Sequence, residues 1–343
     1  MAMEAELTPL VPAPEEPESP PWRTILRQAV RDPAELTEML RLPAEVGLRA
    51  VAAAGGFPLL VPRPFISRMR PGDPEDPLLL QVLPRREELR QAQGFSADPL
   101  EEQGCLAAPG VLRKYQGRAL LLCTPACAIH CRYCFRRNFP PSSMASGRKM
   151  LEKAVSFLEN SPDVSEVILS GGDPLTLPDE LLSWLSGRLD QIGHLKRLRI
   201  HTRMPAVVPE RVDGGLLDWL SKGRLGKIMV LHINHPRELD RTVEGALKAL
   251  SDSPVRLYNQ SVLLKGVNDE AEVLINLQES LYIFGVLPYY LHQVDRVGGT
   301  AHFEVTDGEA VNLLDEVRGA LPGYMTPRLV REKPGSRYKI AVG

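Results

Sequence analysis

The chain has 343 residues, 43% of them hydrophobic, enough to bury the core of one large α/β domain or two smaller ones. Its 41 basic and 43 acidic side chains leave a formal charge of −2, which argues against a nucleic-acid or anionic-membrane partner. No run approaches the roughly 20 apolar residues of a membrane-spanning helix, and the five cysteines, three of them within eight residues, suit metal or redox chemistry in the cytoplasm better than a secreted disulfide framework.

Residues 1–21 are acidic and proline-rich, without the basic start or apolar stretch of a secretory signal, and read as a flexible tail. Residues 22–115 read as a helical N-terminal region: WRTILRQAVRD and PAELTEMLRL carry apolar residues at spacings of three and four, and proline-rich turns follow. From residue 116 to 343, β-like runs alternate with amphipathic segments: ALLLC (119–123), EVILS (166–170), LRIHT (198–202), IMVLHI (228–233), VRLYNQSVLL (255–264) and PYYLHQV (288–294). One intervening segment, from Asp179, sets Leu181, Leu185, Leu189 and Ile192 on one helical face, and another opens with the capping pair Thr306 and Glu309. Strands separated by helices predict right-handed βαβ units and an α/β fold, a partial TIM-type barrel of about six such units, with functional residues just after the strand ends.

Directly after the first of these strands stands Cys127-Ala-Ile-His-Cys131-Arg-Tyr-Cys134, a C-x3-C-x2-C array. Closely spaced thiolates on one loop can reach several irons of one cluster, and three ligands leave a fourth iron open to an external group. Two blander readings stand beside this one: a structural zinc site with His130 as fourth ligand, or buried unliganded thiols. Cys123 forms a second C-x3-C with Cys127 but lies in the strand and reads as a small buried residue, and Cys105 also falls outside the array. After the second strand comes Ser170-Gly171-Gly172-Asp173-Pro174, which alone is an ordinary turn and which one βα unit beyond the cysteines gains weight as a ligand contact.

The array and its RYCFRR continuation resemble the radical S-adenosylmethionine superfamily, with Ser170, Gly171, Gly172 and Asp173 similar to the segment that approaches the methionine amino group of the cofactor. From Trp22 to the end the chain resembles lysine 2,3-aminomutases, most closely the shorter branch that includes the elongation factor P (R)-β-lysylation proteins. The strings are RKYQGRALLL, CRYCFRRNFP, SGGDPL, HTRMPAVVPERV, HINHP, NQSVLLKGVND, PYYLHQVD and PRLVREKPGSRYK. The resemblance implies a [4Fe-4S] cluster held by Cys127, Cys131 and Cys134, together with S-adenosyl-L-methionine and pyridoxal 5′-phosphate. It implies an isomerase that exchanges the α-amino group of L-lysine with a β-hydrogen, started by a 5′-deoxyadenosyl radical.

The family's roles carry over residue by residue. Lys339 matches the lysine that forms the pyridoxal phosphate Schiff base, with Lys333 as competitor. Lys114 and Arg118 match the phosphate pair, and Tyr115 between them is placed to lie against the ring. Arg136 matches the clamp on the substrate carboxylate, and Asp295 and Glu332 match the acids that hold its ε-ammonium. Two positions depart from the longer aminomutases, which carry arginine at Lys114 and aspartate at Glu332. The resemblance further implies a one-electron reductant such as flavodoxin or ferredoxin, and a link to elongation factor P and its lysyl-ligase. It also implies no structural zinc, because the zinc-binding C-terminal extension is lacking, and a different oligomer interface. The competing readings are an aminomutase for another amino acid such as glutamate, and a non-catalytic iron–sulfur electron-transfer protein.

Overall fold

The computed structural model describes residues 21–343, so the tail expected over residues 1–21 lies, but for Pro21, outside the described residues. The two expected N-terminal helices form at Trp22–Arg27 and Pro33–Met39. The second starts on a proline, and the Asp32 carboxylate accepts the Ala34 N–H that the first turn leaves unpaired. A third helix, Ala44–Ala53, follows where turns are expected. Nor is this region helical throughout. Leu106–Ala108 (β1) and Val111–Leu112 (β2) form an antiparallel hairpin, and β2 pairs antiparallel with Arg118–Thr124 (β3). Strands this short show no period of two in the sequence, which is why they are missed.

From β3 the sheet is parallel. Glu166–Gly171 (β4), Arg197–Thr202 (β5), Gly226–Leu231 (β6), Arg256–Leu263 (β7) and Leu287–Gln293 (β8) each pair with the strand before. The crossover helices are Arg148–Glu159, Asp179–Asp190, Gly214–Ser221, Arg241–Ser251, Ala271–Ile283 and Asp307–Ala320. These are the six expected βα units. The fold then adds a seventh parallel strand, Arg328–Arg331 (β9), beside β8, and Ile340–Ala341 (β10) turns back antiparallel on it. The strands follow one another in chain order from β1 to β10, as in a partial barrel.

Side chains alternate across each strand. On β4 and β5, Val167, Leu169, Leu198 and Ile200 join the core that holds the crossover helices, whereas Ile168, Ser170, Arg199 and His201 line the interior. The helix Asp179–Asp190 buries Leu182, Leu185 and Leu189, while Leu181 is only half-buried. Steps of four drift around a 3.6-residue helix, so the buried stripe takes Leu182 in place of the expected Leu181. Thr306 and Glu309 form the expected capping box, each side chain accepting the other's backbone N–H. Among the described residues no helix is long and apolar enough to cross a membrane.

Candidate active site

The barrel interior holds a cavity of about 970 Å³, and the fourteen residues to which the resemblance gives a cluster, cofactor or substrate role line it. The cysteine loop leaves the C-terminal end of β3 and is fastened by the residues between its cysteines. The guanidinium of Arg132 is wholly buried and forks onto Glu88, with Nε at 2.8 Å and Nη2 at 2.6 Å, and a further bond reaches the Phe57 carbonyl. The His130 N–H donates to the Leu60 carbonyl and the Arg132 N–H to that of Gln81. With His130 and Arg132 turned into the N-terminal region, the loop presents Cys127, Cys131 and Cys134 to the cavity. His130 is among those turned away: Nδ1 lies 2.8 Å from the Pro58 carbonyl and the ring stacks on Phe57. That removes the fourth ligand on which the zinc reading depends.

Burial, reinforced by the neighbouring thiols, pushes Cys127 up and Cys134 to about 11, and a bound metal cation would favour their thiolates. Cys131 Sγ accepts a bond of 2.9 Å from Arg203 Nη1. Cys123 is fully buried within β3, where burial pushes it to about 12.

The glycines after β4 serve the cysteine loop directly. Gly171 sits at φ +118°, and a Cβ at Gly172 would lie 2.1 Å from the Ala126 carbonyl oxygen. In their place the Gly172 N–H donates to the Thr124 carbonyl at 2.6 Å and the Asp173 N–H to that of Ala126 at 2.7 Å. The close approach expected here is thus made to the cysteine loop itself. The Asp173 carboxylate accepts from Thr202 Oγ1 and from the backbone N–H groups of Leu175, Arg203 and Met204. It locks the end of β4 to the end of β5, so what this segment can offer a ligand is backbone and the Ser170 hydroxyl.

A charged cluster forms where β8 and β9 end. Ile340 on β10 pairs with Arg331 on β9, and this hairpin carries Lys339 back to Glu332. Glu332 forms ion pairs with both Lys339 and Lys114. Burial opposes its ionisation, but the two ammonium groups hold Glu332 below the usual carboxylate range. Asp295 is recessed nearby, and burial together with the Glu332 charge pushes it up to about 7. Lys339 Nζ lies 5.9 Å from the Tyr290 ring, and the Arg118 guanidinium 5.4 Å from that of Tyr115. Lys333, the competitor of Lys339, is exposed and lines a separate surface recess with Arg331 and Asp307.

Several cavity residues escape sequence reasoning. Arg136 forks onto Glu102, with Nε at 2.6 Å and Nη2 at 2.9 Å, and its Nη1 reaches Ser170 Oγ at 3.1 Å. Burial pushes the Glu102 carboxyl up, yet Arg136 and Lys114 outweigh it and hold the group down. His201 and His292 also line the cavity, and burial beside cations keeps both rings neutral. The only available signal is their place two residues along from other inward side chains, His201 after Arg199 and His292 after Tyr290.

Residues 121–222 match the model of the radical SAM superfamily. The chain is 44% identical over 329 residues to an L-lysine 2,3-aminomutase of Haemophilus influenzae, covering 95% of this chain and 97% of that one. It is 46% identical over 319 residues to an L-lysine 2,3-aminomutase of Escherichia coli, covering 93% of each. Against the L-lysine 2,3-aminomutase of Clostridium subterminale identity is 34%, over 94% of this chain and 77% of that one.

Proposed function

Because the chain belongs to the L-lysine 2,3-aminomutase family of radical SAM enzymes, and is therefore an isomerase, we propose that it converts L-lysine to (R)-β-lysine with pyridoxal phosphate as a further cofactor. The observation that carries the reading is the meeting, in one cavity, of the cysteine loop with a lysine, an arginine and two acids suited to a long cationic amino acid.

The residues fit the groups this reaction needs. Cys127, Cys131 and Cys134 would hold the [4Fe-4S] cluster, and the backbone of Ser170–Asp173, packed on the same loop, would lie beside S-adenosylmethionine. Lys339 would carry pyridoxal phosphate, with Lys114 and Arg118 at its phosphate and Tyr115 against its ring. When bound, these groups supply a carbon radical that abstracts hydrogen and a π-system through which nitrogen migrates. Arg136 holds the substrate carboxylate, since Glu102 and Ser170 engage three of its five N–H groups and two remain. Asp295 and Glu332 receive the ε-ammonium. Asp295 keeps its proton to about pH 7 and releases it when the cation arrives.

The same acids disfavour glutamate, whose side-chain carboxylate would face the ionised Glu332 and bring no ammonium for Asp295 to pair with. An electron carrier would have no task for Lys339, Arg136 or the acids. Near-complete coverage of the Haemophilus and Escherichia relatives, against 77% of the clostridial one, supports the shorter branch. Its product would serve modification of elongation factor P through a lysyl-ligase, in the cytoplasm, with flavodoxin or ferredoxin as reductant. The deciding experiment is anaerobic incubation of iron-reconstituted, cofactor-loaded protein with S-adenosylmethionine, dithionite and either L-lysine or L-glutamate. Mass spectrometry should find β-lysine and no β-glutamate; the reverse would overturn the substrate assignment.

A further inference from the structure

We infer that Glu102 is a positioning residue for substrate recognition, one that holds Arg136 by its inner edge so that the outer end of the guanidinium meets the amino-acid carboxylate. The inference rests on the proposed role of Arg136 and deepens it.

Glu102 does not come from the barrel. It stands on the short turn Glu102–Cys105 of the N-terminal region, is 2% exposed, and its own N–H is tied to Asp98 Oδ1 at 3.1 Å. Oε2 accepts Arg136 Nε at 2.6 Å, and Oε1 accepts both Arg136 Nη2 at 2.9 Å and Lys114 Nζ at 3.4 Å. Ser170 Oγ takes a third arginine proton through Nη1, and the Phe135 ring lies 4.7 Å from the guanidinium. Of the five donors in the rigid fork, the two left over are both on the terminal nitrogens, the pair a carboxylate engages end-on.

A long arginine side chain has many rotamers, and choosing one before the substrate arrives removes an ordering cost from binding. Glu102 also separates Arg136 from Lys114, two cations that would otherwise repel in a site of low dielectric. Among the described residues it is the one carboxylate in ion-pair distance of Arg136.

The test uses cofactor-loaded protein, anaerobic and without reductant, titrated with L-lysine and with L-lysinamide, which lacks the carboxylate. Binding is followed by the absorption of the bound cofactor, so no turnover is involved. The parent should prefer lysine, and Arg136→Gln should abolish the preference. Glu102→Gln should lower the preference by about tenfold or more through weaker lysine binding, with lysinamide changed by less than about threefold. Glu102→Asp, which keeps the charge, should fall between. If Arg136→Gln loses the preference while Glu102→Gln keeps it, or weakens both ligands equally, Glu102 only supports the fold. If Arg136→Gln keeps the preference, the carboxylate clamp is wrong and the role of Glu102 falls with it. Should Glu102→Gln not fold, Glu102→Asp decides, since a preference equal to the parent's overturns the proposal and a reduced one supports it.

Discussion

Replacing Asp295 by asparagine should stabilise the protein while damaging recognition of lysine, and the two effects have different pH signatures. Burial and the Glu332 charge push this carboxyl from its ordinary 3.8 up to about 7. At about 1.4 kcal/mol for each tenfold, full ionisation opposes folding by on the order of 4 kcal/mol, and coupling to Glu332 and Lys339 reduces this to roughly 2–4 kcal/mol. The sign follows from proton counting. Between about pH 4 and pH 7 the unfolded chain has given up a proton that the folded protein still holds, so stability falls as pH rises and levels off above 7. Asparagine does not ionise, so urea unfolding of variant and parent between pH 5 and pH 8 should show a stability difference that grows to pH 7 and then stays constant. Recognition runs the other way: charge-assisted bonds to an ammonium contribute roughly 1.5–3 kcal/mol each, so Asp295→Asn should weaken lysine binding about ten- to a hundredfold. Near pH 7 the parent should release protons on binding lysine, seen as calorimetric heat that depends on the buffer, and the variant should release fewer. A stability difference that does not vary with pH, or unchanged lysine binding, refutes the reasoning.

Alanine at Cys127, Cys131 or Cys134 should each remove most bound iron and all cleavage of S-adenosylmethionine, whereas Cys123→Ala should retain both, as iron analysis and product chromatography will show. Lys339→Ala should abolish borohydride-trapped attachment of pyridoxal phosphate, while Lys333→Ala, on the exposed side of the hairpin, should leave it intact; mass spectrometry reads the outcome directly. Lys114→Arg and Glu332→Asp should each lower lysine turnover, and the double variant should recover part of the loss, with a coupling of about 0.5–3 kcal/mol in a double-mutant cycle. Strict additivity would mean that the ion pair between them has no role in turnover.

What the sequence made legible was whatever repeats or clusters locally. Six apolar runs separated by amphipathic segments disclose six βα units, because each parallel strand sends alternate apolar residues into the core that holds the crossover helices. Three cysteines in eight residues mark one loop as a candidate site, and the fold brings all three to one cavity. The losses have the opposite character. Strands β1, β2 and β9 have two to four residues each, less than the span over which a period can be counted. Glu102 sits in LEEQGC, which reads as a solvated charged turn; its burial is set by Arg136 and Lys114, supplied by later parts of the chain. The resemblance assigns Asp173 to the cofactor's surroundings, and what the sequence could not show is that four donors within the protein engage its carboxylate.

The two departures that the resemblance to the longer aminomutases implies show the same limit most sharply. Lysine in place of arginine at residue 114 casts doubt on the hold on phosphate, and glutamate in place of aspartate at residue 332 casts doubt on the fit of the ammonium. In sequence these are separate doubts, far apart on the chain. In the fold Lys114 and Glu332 form one ion pair, and Lys339 shares the same carboxylate. A shorter cation without the planar fork still meets an acid that is one methylene longer. The glutamate also spans two ammonium groups at once, which a shorter aspartate on the same backbone would do less easily. On the proposed reading the departures act as one unit, and neither residue is then to be judged against its counterpart alone.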